Sequence, residues 1–317
     1  MPVHQQPPTL PYSREGAHTV RNRITALRRL EPVQVIRDLS ELFKPTITGL
    51  SVLMAAMGVW LADVSLGFMT WAFVLVGVGM VVGSANTLNM YLERDIDKYM
   101  SRTRSRPLPS GRMHRNIALL FGLGQALVGL PVLYLSGGWL PMFLGAFGLV
   151  SYVMVYTPLK IHTPLALVIG SVPGAVPPLI GWAAATGEIG YPGLVLFGIV
   201  FFWQMPHFLA IAMYRKSDYS RAGIQVVPVV RGDRVAKIQT VAWATALIPV
   251  SLLLVPLGAA GGLYFVGTLG VSVWFTAHCI RGFRSVQRAA WGRRVLLASL
   301  VYLPAVSVVL VLDRLVG

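Results

Sequence analysis

The sequence predicts an all-α, polytopic membrane protein of about nine transmembrane helices, and three observations carry that prediction. Hydrophobic residues make up 55% of the 317, charged residues only 12%, and mean hydropathy is +0.65. An ordinary soluble domain carries about 25% charge. The apolar residues come in runs of about 20, the length at which a helix crosses the hydrocarbon core. No run alternates polar and apolar residues as a membrane barrel strand does.

Residues 1–31 contain no apolar core of signal-peptide type and include Glu15 and Glu31. They read as a disordered cytoplasmic segment, not a cleaved leader. From Pro32 the residues Val35, Ile36, Leu39, Leu42 and Phe43 recur at helical spacing. That pattern predicts an amphipathic helix over 32–43 lying flat on the membrane. One membrane domain then fills 32–317, with spans at about 45–62, 67–92, 116–135, 138–157, 163–185, 191–213, 236–256, 261–279 and 295–313. The fifth contains Gly170-Ser-Val-Pro-Gly-Ala-Val-Pro-Pro178. Small residues let helices approach closely, so this reads as helix packing, with the kinked border of a cavity as the alternative. The single Cys279 excludes an intrachain disulfide.

The net charge of +15 raises the question of nucleic acid, but its placement answers differently. If nine helices alternate across the bilayer, 26 of the 27 Lys and Arg fall on one side, in 1–44, 93–115, 158–162, 214–237 and 279–294. The opposite loops hold Asp63 and Glu188. That asymmetry places the N-terminus and both polar segments in the cytoplasm and the C-terminus outside. A bacterial cell membrane is the expected location, with the mitochondrial inner membrane as the alternative. The basic charge attracts membrane lipid and phosphate, and no nucleic-acid partner is expected.

Two polar segments interrupt the apolar pattern, each where a span meets a basic loop. The first runs from Asn89 through Glu93 and Asp97 to Arg102 and Arg106. If the second helix continues inward, Asn89, Glu93 and Asp97 form one stripe at i, i+4 and i+8, extended deeper by Asn86. Asp95 points about 200° away from Glu93. An amide and two carboxylates offer hard oxygen ligands to Mg²⁺, and arginines beside them neutralise phosphate. The second segment holds Gln204, His207, Tyr214, Arg215, Lys216 and Asp218. On a continuous helix Gln204, His207, Tyr214 and Asp218 lie within about 80° of one another. A neutral imidazole at His207 can ligate a metal, accept a proton or hold a carboxylate. Such chemistry at a membrane surface suits a substrate with a diphosphate head and an apolar tail. Nucleophile motifs are missing: the sequence has no Gly-x-Ser-x-Gly, Walker loop, His-Glu-x-x-His or Cys pair.

The set Asn89, Glu93, Asp97 followed by Arg102-Thr-Arg-Ser-Arg106-Pro107 resembles the first motif of the UbiA superfamily of intramembrane prenyltransferases, with Glu93 where the general motif has Asp. The stretch from Trp203 to His207, continuing through Tyr214–Tyr219 to Val227-Pro228-Val229-Val230, is similar to the heme-farnesylating branch. Tyr214 replaces the first Asp of the second Asp-x-x-x-Asp found in quinone-pathway relatives, and Asp218 is retained. The resemblance implies that farnesyl diphosphate and heme b are the substrates. It implies Mg²⁺ on Asn89, Glu93, Asp97 and Asp218, with Arg102, Arg106 and Lys98 stabilising the departing diphosphate. Arg215, Lys216 and Arg221 would hold heme propionates, beside Tyr214 and Gln204, and His207 would orient heme or act as a base. The product would pass to heme A synthesis or a terminal oxidase. Prenylation of an aromatic quinone precursor and non-catalytic heme transport are the competing readings.

Overall fold

The computed structural model describes residues 32–284 and 287–316, so the segment 1–31 lies outside the described residues. Among the described residues every regular element is helical. The amphipathic helix α1 covers Pro32–Phe43, and α2 covers Pro45–Leu61 at 50° to it. A residue before proline avoids the α conformation. Lys44, which precedes Pro45, takes φ of 51° and breaks the chain direction there. The spans continue as α3 (Phe68–Glu93), α4 (Arg115–Gly137), α5 (Trp139–Leu159), α6 (Ala166–Thr186) and α7 (Tyr191–Tyr214). Two short helices follow, α8 (Lys216–Arg221) and α9 (Val227–Val230). The chain ends in α10 (Gly232–Leu252), α11 (Gly262–Ile280) and α12 (Arg288–Val316).

Eight of these helices are long and apolar enough to cross a membrane by themselves, and counting the bent pair α1–α2 as one span gives up to nine. The protein is thus a multi-pass membrane protein. Several expected boundaries shift by a few residues, most at two helix starts. The seventh span begins at Gly232, not 236, and the ninth at Arg288, not 295. Hydropathy reports only the part of a helix that lies in lipid, whereas hydrogen bonding carries α12 past Arg293 and Arg294.

On α1 the side facing the protein carries Leu42 and Asp38, both buried, while Val33 and Ile36 are exposed. Asp38 takes contacts from Gln34 and Arg112, and Glu41 also pairs with Arg112. The polar loop 94–114 is therefore tied down onto α1.

Packing falls into two large cores and a small third one around Leu42, Met90 and Leu108. One core joins α2 to α6 through residues such as Ala55, Val78, Leu133 and Ile180; the other joins α7 and α10 to α12 through Leu209, Leu247, Phe275 and Tyr302. Helix α6 is the most buried span, and its prolines 173, 177 and 178 lie inside a continuous helix. The segment packs closely and also borders a cavity. Gly170, Pro173, Gly174 and Pro177 border a cavity, while Gly181 packs against α2. A Cβ on Gly181 would stand 1.9 Å from the Ala55 carbonyl oxygen, and one on Gly58 would stand 2.0 Å from that of Pro178. The backbones touch at both points, as small residues allow. Gly181→Val is expected to cost at least the about 3 kcal/mol at the top of the range for overpacking. Thermal unfolding in detergent measures it, and a melting temperature equal to the parent's would contradict this contact.

Candidate active site

Helix α3 ends at Glu93, and a turn leads to a single 3-10 turn at Asp97–Tyr99. The expected unbroken helix through Asp97 is therefore corrected: once Arg94 caps α3, Asp97 arrives by a tighter turn. Asn89, Glu93 and Asp97 are nonetheless all buried, and Asp95 is exposed. Asn89 donates from Nδ2 to Glu93 Oε1 at 2.5 Å and to Thr157 Oγ1 at 3.0 Å. Asn86, one turn deeper, donates to Thr48 Oγ1 at 3.4 Å and lines the cavity.

Each buried carboxylate here has a cation. Glu93 pairs with Lys160, Asp97 with Arg106 at 2.9 Å, and Asp218 with Arg221. Ser101 Oγ reaches both Asp218 oxygens at 2.9 Å, so the loop after α3 and the short helix α8 share one polar cluster. Burial pushes the Asp218 carboxyl up, but the bonds from Ser101 and Arg221 outweigh it and hold the pKa below the usual carboxylate value. Lys44 stands at the break between α1 and α2, within the fields of Arg106, Glu93, Lys160 and Asp97. Burial first, and Arg106 next, push its ammonium down to about 7. An ammonium so destabilised gains from any anion brought beside it.

In the sequence Lys44 and Lys160 read only as topology charges. Lys44 does carry a signal, since it precedes the proline that opens α2, whereas helical spacing gives none for Lys160. Conversely, two expected binding residues do not face the cluster. Lys98 turns outward to exposed Asp95, with which it bonds at 2.8 Å. Lys216 bonds Asp233 at 2.6 Å, across the short loop to α10. Arg102 is exposed, and no carboxylate partner is found for it among the described residues.

The second polar stripe is also interrupted. Arg215 leaves helical geometry, with φ −108° and ψ 23°, so α7 stops at Tyr214 and Asp218 lies on a separate helix. Arg215 stacks over the Tyr214 ring at 4.6 Å and lies 3.9 Å from Asp218. Gln204 is buried, donating to the Ser171 and Val200 carbonyls at 3.1 and 3.2 Å. His207 is half-buried and sits in the wall of the cavity.

That cavity measures about 290 Å³ and is lined mainly by apolar side chains of α2, α3, α5, α6, α7 and α12. Its polar groups lie at Thr46, Ser51, Asn86, Gln204 and His207, and at Tyr152 and Tyr156. The two tyrosines belong to a π-helical segment, Ser151–Tyr156, and their ring centroids are 5.1 Å apart. π-turns concentrate at functional sites because the extra residue re-aims the side chains. The arrangement can hold an anionic head among Lys44, Lys160 and Arg106, with an apolar chain in the cavity behind it.

Residues 51–301 match the UbiA prenyltransferase family. The chain belongs to that family. Its relatives include the protoheme IX farnesyltransferase of Myxococcus xanthus, 44% identical over 88% of this chain and 95% of that protein. The protoheme IX farnesyltransferase of Anaeromyxobacter dehalogenans is 40% identical over 90% and 96%. Among solved structures, a digeranylgeranylglyceryl phosphate synthase superposes with TM-score 0.74 at 15% identity, covering 89% of this chain and 99% of that one. A UbiA homologue from Archaeoglobus fulgidus, bound to GPP and Mg²⁺, superposes with TM-score 0.64 at 13% identity, covering 86% and 99%. The fold is therefore the UbiA fold, and this UbiA chain is a prenyltransferase.

Proposed function

We propose that this prenyltransferase moves a farnesyl group from farnesyl diphosphate to a vinyl group of heme b, with addition of water, giving heme O and diphosphate. The observation that carries the reading is the pairing of buried carboxylates with displaceable cations at an apolar cavity, in a chain whose relatives of matching length are protoheme IX farnesyltransferases.

The donor set fits a magnesium ion of the kind that phosphates carry. No group of three acidic, His or Cys side chains that could hold a metal is found among the described residues. Mg²⁺ needs only one or two carboxylates and completes its shell with water and phosphate oxygens. Asn89, Glu93, Asp97 and, from the facing helix, Asp218 would supply those ligands. Bound there, Mg²⁺ would act as a Lewis acid on the diphosphate oxygens.

The chain's own residues do the rest. Lys160 and Arg106, which neutralise Glu93 and Asp97 in the free protein, would hold the diphosphate together with Lys44 and Arg102. These cations stabilise the charge that develops as the allylic C–O bond breaks and its electron pair leaves with diphosphate. The rings of Tyr152 and Tyr156 present π faces to the allylic cation and shield it from water. The vinyl carbon of heme supplies the electron pair of the new C–C bond, and water captures the resulting cation and loses a proton. Arg215, stacked on Tyr214, is the cation placed to receive a heme propionate.

Acceptor competition tests the substrate. Purified protein given farnesyl diphosphate together with heme b and an aromatic quinone precursor should prenylate the heme alone. Prenylation of the aromatic ring in its place would reassign the acceptor.

The cytoplasmic placement of the basic loops is part of the same proposal, in a bacterial cell membrane. It rests on the one-sided distribution of 26 basic residues. A reporter fused after Gly317 should read external, and an internal signal would invert the topology.

A further inference from the structure

We propose that Ser299 is a positioning residue that keeps His207 in the tautomer protonated at Nδ1, so that a bare Nε2 faces the cavity as an axial ligand for the iron of the heme substrate. The inference rests on the heme reading above and deepens it.

Ser299, on α12, is fully buried, and its Oγ donates to the Leu296 carbonyl at 2.6 Å. A hydroxyl has one proton to give. Its 2.7 Å contact with His207 Nδ1 is then one in which Ser299 accepts and the ring donates. A neutral imidazole protonated at Nδ1 has its lone pair on Nε2.

The ring is held on a second side as well. Trp203, one turn earlier on α7, donates from Nε1 to the Ser299 carbonyl at 2.7 Å. Its indole stacks on the imidazole with centroids 4.8 Å apart and planes at 23°. Ser299 therefore engages two consecutive turns of α7, through its carbonyl and its hydroxyl. Nε2 has no hydrogen-bond partner among the described residues, and the residue itself lines the cavity.

A ring nitrogen fixed by a hydrogen bond at the other nitrogen is how proteins present histidine to a metal. Imidazole suits iron, and the bonds that Trp203 and His207 make to Ser299 hold this ring in the cavity wall. Gln204, the nearest polar neighbour along the helix, has its amide hydrogens engaged by the Ser171 and Val200 carbonyls. Ligation would pin the porphyrin centre and so fix which vinyl group reaches the allylic carbon.

The test titrates the full chain in lipid nanodiscs with ferric heme b and, in parallel, with metal-free protoporphyrin IX. Heme bound to the parent protein should show an imidazole-ligated Soret band and the matching electron paramagnetic resonance signal. His207→Ala should abolish that signature and weaken heme at least about 10-fold, and Ser299→Ala should shift it and weaken heme by about 10-fold. Neither change should alter protoporphyrin affinity, and Ser299→Thr, which keeps the hydroxyl, should restore the parent spectrum. An unchanged heme spectrum in His207→Ala would overturn the ligation. Equal losses for heme and protoporphyrin in Ser299→Ala would show a merely structural serine and overturn its positioning role. Parent protein that neither binds nor farnesylates heme would instead overturn the functional reading itself, so the two failures are separable.

Discussion

Asp97→Asn is expected to lower turnover by about 10²–10³-fold, the scale seen when one electrostatic contributor to a transition state is removed. The fold should survive. Asn keeps the shape of Asp97 and an oxygen to accept from Arg106, which now bonds the carboxylate at 2.9 Å, and Thr103 still donates to the residue 97 carbonyl at 2.8 Å. What is lost is the negative charge that would hold a metal and keep Arg106 in place. Asp95→Asn supplies the control, because Asp95 is exposed and bonded to Lys98. Exposed pairs of that kind contribute about 0–1 kcal/mol. Turnover of purified protein should therefore fall sharply at position 97 and stay near the parent's at 95. Equal losses at both would contradict the assignment of the buried carboxylate.

Lys160→Met should weaken farnesyl diphosphate binding by about 10- to 150-fold, the equivalent of the 1.5–3 kcal/mol typical of a hydrogen bond to a charged group. In the free protein Lys160 is bound to Glu93. Deleting it leaves a buried carboxylate unpaired, so a single substitution confounds lost stability with lost binding. A double variant separates them. Glu93→Gln alone sets the baseline, because that change also removes a metal ligand. If Lys160 serves only to neutralise Glu93, adding Lys160→Met to Glu93→Gln should cost no further binding. If it passes to the diphosphate, the double variant binds more weakly than Glu93→Gln although its melting temperature matches it. We expect the second outcome, with binding read by a non-hydrolysable farnesyl diphosphate analogue.

Much of the fold was legible in the sequence because lipid leaves the backbone few options. A run of about 20 apolar residues has to be a helix there. The kink at Lys44 is legible too, since Pro45 forces it, although its consequence is not. By ending α1 and starting α2 at that residue, the chain brings Lys44 into the field of Glu93 and Asp97. Lys160 was hidden for a related reason. Helical spacing relates residues within one helix, whereas Lys160 meets Glu93 across 67 positions of chain. Stripe arithmetic also assumes unbroken helices, and α3 and α7 both end within the segments to which it was applied. The faces it named for Glu93 and Asp95 agree with their burial even so, because the turn after Glu93 stays close to helical angles. Which cation neutralises which carboxylate is a tertiary fact. Charge balance predicts that a partner exists, and packing alone chooses Lys98 for Asp95 and Arg106 for Asp97.

The central claim is that heme is the farnesyl acceptor, and mass spectrometry of extracted hemes tests it most directly. Membranes from cells expressing the chain should contain heme enlarged by one farnesyl group and one water, and membranes carrying Asp97→Asn at equal abundance should contain heme b alone. Unmodified heme in both, beside a prenylated quinone precursor in the first, would contradict the account.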